Sequence, residues 1–147
     1  MALDQFFDSL GSGVVLDQLF DLFAVFVDGN RRKAKHLLAD EVATMLMRSD
    51  AQTLHWQGTR ADLMEALYLT YTSCRLIDDQ GLYMTFSSIV QQACRKLNYR
   101  IPRNPREVAA RAMRRKGFKA RPFLDRYAML VNRNPSCKPF EDQIQME

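Results

Sequence analysis

Apolar residues recur at three- and four-residue intervals in six separate stretches of this 147-residue sequence, with Gly, Pro, Asn and Asp between them. That periodicity restricts the chain to a mainly helical fold, because a 3.6-residue repeat cannot sit on a pleated sheet. The first stretch carries Leu16, Leu19, Phe20, Phe23, Phe26 and Val27 and runs into Asp28-Gly29-Asn30. The second, about 31–47, carries Ala34, Leu37, Leu38, Val42, Met45 and Leu46. Two helices joined by a short Gly-containing turn form an antiparallel hairpin. The wide aromatic stripe of the first exceeds what one partner helix covers, so it packs on the rest of the chain or, as we expect, forms a homodimer with a second copy.

The remaining helices have start and stop signals. Thr59 and Asp62 approximate a capping box for a helix to about Cys74, with Leu63, Ala66, Leu67, Thr70 and Tyr71 inward. Ser87 or Ser88 caps a helix through Leu97. Asn104 before Pro105 opens a third, to about Lys116, which Gly117 terminates, and Arg121-Pro122 opens the last, Phe123 to about Asn132. Two β-prone runs, 53–56 and 82–86, are expected to pair with each other. The fold class is therefore a mainly α helical bundle with a helix-turn-helix core, possible winged character in its connector, and at most a short two-stranded sheet. Three stretches follow: 1–50, an N-terminal helical hairpin; 51–134, the helix-turn-helix domain; and 135–147, a loose C-terminal tail.

Composition is that of an ordinary globular protein, with 47% hydrophobic and 26% charged residues, which excludes disordered and collagenous classes. The longest apolar run, Val14 to Val27, is broken by Asp17 and Asp21, so no membrane span or signal peptide is expected. Cys74, Cys94 and Cys137 are odd in number and lack CxxC spacing, which reads as free thiols in a cytoplasmic protein. Charge is segregated. Residues 1–94 hold 7 basic and 12 acidic side chains, residues 95–133 hold 13 and 2, and residues 134–147 hold 1 and 3. A block of net charge +11 beside an acidic remainder is suited to a polyanion, although a solvated basic surface would look the same.

Nothing in the sequence points to catalysis: no nucleophile is paired with a histidine, no Gly-rich loop would cradle phosphate, and Asp78-Asp79 reads as a turn. The expectation is a non-enzyme without cofactor or metal site, in which His55 is structural. The informative constellation is the helix pair 87–97 and 104–116 with its six-residue connector. On the second helix Val108, Ala109, Ala112 and Met113 form a slim apolar face, and basic residues fill the remainder, which outlines a helix-turn-helix with a long connector. The candidate contacts to double-stranded DNA are Arg100, Arg103, Arg106, Arg111, Arg114, Arg115, Lys116, Lys119 and Arg121.

The run Leu54-His55-Trp56-Gln57-Gly58-Thr59-Arg60-Ala61-Asp62-Leu63-Met64-Glu65-Ala66-Leu67-Tyr68, together with Arg115-Lys116 and Arg121-Pro122-Phe123-Leu124-Asp125, resembles motifs of the RteC regulators of Bacteroides conjugative transposons. The resemblance covers about residues 53–133; Arg60 stands where that family has Lys, and residues 1–50 have no counterpart in it. It implies a helix-turn-helix or winged-helix DNA-binding half and a transcriptional regulator associated with a mobile element. The alternative is a non-enzymatic accessory module of such an element, whose basic face meets an acidic protein.

Overall fold

A computed structural model describes residues 16–49, 53–116 and 121–147, with side chains from Gly29 onward. Its described helices are α1 (Leu16–Met47), α2 (Arg60–Thr72), α3 (Phe86–Lys96), α4 (Pro105–Met113) and α5 (Phe123–Arg133), and its strands are β1 (Leu54–Trp56) and β2 (Ile144–Met146). The fold is a helical bundle with one short antiparallel sheet. No helix among the described residues is long and apolar enough to cross a membrane. The chain divides into two compact units, Met1–Asn30 and Arg31–Glu147. The first contributes the start of α1, and the side chains of its Leu16 to Val27 stripe lie outside the described ones. The expected hairpin is absent: α1 runs unbroken through Asp28-Gly29-Asn30. One glycine inside a helix costs only about 1 kcal/mol, which is too little to force a turn between two good helical stretches.

In the second unit, α2 is the hub. Thr59 caps it as expected, its hydroxyl accepting from the Asp62 amide at 3.1 Å. Every residue from Asp62 to Leu67 is buried, so the helix is covered all round rather than on one stripe. Helix α4 packs on it most extensively, and α3 and α5 pack on it as well. The cap of α3 falls at Thr85, which accepts from the Ser88 amide, rather than at Ser87 or Ser88.

Strand β1 pairs with β2, in the register Leu54 with Met146 and Trp56 with Ile144, and not with 82–86. The latter run is used locally: Asp78 Oδ1 accepts from the amides of Gln80 and Leu82, folding 76–84 into a tight loop with a single bridge between Ile77 and Tyr83. The segment expected to be a loose tail is therefore structural. Phe140 is fully buried, with its ring centroid 5.1 Å from that of Trp56. The indole Nε1 donates to the Thr59 carbonyl at 2.9 Å. Gly58 is required beside it, since a Cβ there would stand 2.7 Å from Trp56 Cζ2. Glu41 of α1 fastens the same segment, accepting from Tyr127 Oη and from the amides of Phe140 and Glu141. Burial pushes the Glu41 carboxyl above its usual range despite those hydrogen bonds.

Phe140→Ala should lower stability by about 3–5 kcal/mol in denaturant titration, the range for truncating a buried aromatic ring. A loose tail would leave the midpoint unchanged.

Candidate nucleic-acid interface

The segment joining α3 to α4 is set by its first residues. Asn98 adopts the left-handed conformation at φ 50°. The Asn98 amide donates to the Arg95 carbonyl, and the Tyr99 amide to that of Cys94, which closes the helix end in a Schellman arrangement. The Asn98 side chain donates to the Leu54 carbonyl of β1 at 3.0 Å. The connector is thereby tied to the sheet. Pro102 is buried, while Arg100, Ile101 and Arg103 on either side of it are exposed. Pro105 opens α4 as expected, but the Asn104 side chain makes no cap; it donates to Glu107 Oε2 at 2.9 Å.

Arg100 and Arg103 line a concavity with Arg60, Tyr99, Ile101 and Pro102. Arg60 also borders a second one, formed by Thr59, Ala61, Val108, Arg111, Ala112 and Arg115. The first turn of α2 thus joins the connector to α4 in one arginine-lined surface. Arg60, Arg100 and Arg103 have no ion pair with any described residue. Arg111 pairs with Glu107 one turn earlier on the exposed side of α4. Arg106 lies over the rings of Tyr71 and Phe86, at 6.0 and 5.8 Å from their centroids. Arg114 and Lys116 are exposed at the end of α4. Arg121 is half-buried, donating to Met129 Sδ at 3.6 Å, and Lys119 lies outside the described residues.

Arg115 departs from the rest. Its guanidinium turns inward, with Nη2 2.9 Å from Asp62 Oδ1 and 3.1 Å from Glu65 Oε1, and its Nε donates to the Ala112 carbonyl. Glu65 has no solvent exposure, and its second oxygen accepts from the Leu124 amide at 2.8 Å. Arg126 of α5 completes the cluster on Asp62. Burial opposes charge on Asp62, but the hydrogen bonds and charges of Arg126 and Arg115 outweigh it and hold the carboxyl below its usual range. Arg115 thus faces carboxylates of α2 while still bordering the second concavity. Arg60 is the residue that the basic block in the sequence does not include. It stands forty positions ahead of Arg100, and only the three-dimensional contact between α2 and α4 brings it into the surface.

Elsewhere both histidines have local partners. His55 Nε2 stands 3.6 Å from Glu147 Oε2, and His36 Nδ1 3.4 Å from Arg75. The three cysteines are free; Cys94 is buried, which pushes its thiol up to about 11. Among the described residues no group of His, Cys, Asp and Glu could hold a metal ion. No protein-family model, no curated protein and no solved structure matches the chain.

Arg115→Ala should destabilise the fold by about 3–5 kcal/mol, because it strands the fully buried Glu65 carboxylate. Arg103→Ala should stay within about 0.5 kcal/mol. The lowered pKa of Asp62 contributes stability that is present above its ordinary value of 3.8 and lost as pH falls through the lowered one. In Asp62→Asn the acid side of the stability profile should flatten in that window, as followed by unfolding midpoints between pH 2 and 5 (about the span of ordinary carboxyl titration).

Proposed function

We propose that the chain is a DNA-binding regulator that meets double-stranded DNA through the surface of Arg60, Arg100, Arg103, Arg111, Arg114 and Lys116. The observation that carries this reading is the continuity of the connector, the first turn of α2 and α4 through Arg60, with three of the arginines free of carboxylate partners among the described residues. Guanidinium groups held by a fixed backbone suit phosphate oxygens and guanine edges. Helices α3 and α4 both pack on α2 rather than extensively on each other, and with α4 seated on α2 we read α4 and the connector as the elements that approach the groove. Association with a mobile element rests on the motif resemblance at 54–68 and 115–125. Dimerisation through the Leu16 to Val27 stripe belongs to the same proposal, since two symmetric half-sites are the common use of so small a module.

Titration of labelled duplex at several salt concentrations tests it. Each neutralised phosphate should contribute roughly −0.9 to the slope of log affinity against log salt. The triple variant Arg100→Ala, Arg103→Ala, Arg111→Ala should remain folded, bind more weakly and lose part of that slope. A folded triple variant with unchanged slope would remove this surface from the interface. Failure of the intact protein to bind any duplex, alongside tight salt-dependent capture of an acidic protein, would establish the accessory-module alternative instead.

A further inference from the structure

The concavity of about 820 Å³ between Arg60 and the connector is not lined by charge alone. Tyr99, Ile101 and Pro102 line it beside the arginines, and no carboxylate contributes to it. Ile101 is 45% exposed at this position, on a backbone that the Asn98 cap and the buried Pro102 hold in place. Ile77 and Leu82, also exposed, flank the Asp78-Asp79 turn, where a polyanion is repelled, and the exposed Leu130 lies on α5, outside this concavity. Here an exposed aliphatic side chain shares one concavity with three arginines.

A regular duplex offers such a surface phosphates, deoxyribose and the edges of its bases, thymine methyls included, while its base faces stay stacked on one another. A wall that includes the Tyr99 ring can meet the full face of a base only where that base has left the stack. Resting on the DNA-binding reading above, we propose that this concavity receives one unstacked base of the bound DNA, its face against Tyr99 and Ile101 and the flanking phosphates on Arg60, Arg100 and Arg103. Apolar side chains beside arginines unstack base steps in this way, and an aromatic face accepts any base. The ligand is thus a locally distorted duplex, and selectivity follows how easily a base step opens rather than the hydrogen-bonding edge of that base.

The test compares two duplexes of one sequence, fully paired or with a single central mismatch, using the full chain, with permanganate reactivity of thymines as the second readout. The intact protein should bind the mismatched duplex about tenfold more tightly, since the opening step is already made, and should render a thymine of the paired duplex reactive. Ile101→Ser, checked for an unchanged unfolding midpoint, should bring the affinity ratio close to one and abolish the reactivity. Leu82→Ser on the acidic loop should preserve both effects. Equal salt-dependent affinity for the two duplexes, with no reactive thymine, would overturn the base site and leave DNA binding standing. A mismatch preference that survives Ile101→Ser would move the site elsewhere. Absence of binding to either duplex would overturn the DNA reading and this proposal together.

Discussion

A carboxylate shut away from water in the middle of the central helix sets the terms for the rest of the second unit. Glu65 has no solvent exposure, and a buried acidic side chain stripped of its partners is strongly destabilising. Its two oxygens are satisfied by Arg115, just beyond the end of α4, and by the Leu124 amide, in the first turn of α5. One turn earlier, Asp62 takes the same Arg115 and adds Arg126. Two stretches fifty or more residues downstream, the end of α4 and the start of α5, are thereby fixed against one helix, and no buried side-chain polar atom among the described residues is left unpaired. Such a cluster adds little net stability over well-packed apolar residues, but it penalises any arrangement in which α4 or α5 docks out of place.

The same cluster divides the basic block by role. Arg115 and Arg126 are engaged with carboxylates of α2, and Arg106 rests on aromatic rings. The arginines of the connector and of the exposed side of α4 keep their charge toward solvent. Net charge along a sequence therefore overstates the charge a ligand meets. What reaches the surface here depends on which acidic residues α2 carries inward.

Much of the fold was legible from local chemistry. Periodicity placed the four helices α2 to α5 within a few residues of their observed bounds, Thr59 capped α2 through Asp62, and Pro105 opened α4. What escaped depended on distant partners. The all-round burial of α2 is hidden by Asp62 and Glu65, which look like a solvated face until Arg115 and Arg126 are seen beside them. The partner of β1 lay in the segment after Asn134-Pro135 that was expected to be a loose tail, although Phe140 and Ile144 were its apolar anchors. The turn expected at Gly29 failed because a local breaker weighs little against helical neighbours on both sides. For the candidate interface, Arg100 and Arg103 could be read from the charge block, whereas Arg60 could not, since its place is fixed by tertiary contact alone.

The pairing of β1 with β2 also dictates an order of events during synthesis. The two strands lie some ninety residues apart, so the loop they close is long and its entropy must be overcome before the ladder rewards it. A chain emerging from the ribosome makes Leu54 and Trp56 early, yet Phe140 and Ile144, which cover the indole and extend its strand, are among the last residues described. Helices α2 to α5 can form as they emerge, but one wall of their core stays wet until residue 146 has been added. During that interval the unpaired edge of β1 and the open tryptophan face are the places where a nascent chain of this kind would recruit a chaperone or stick to its neighbours.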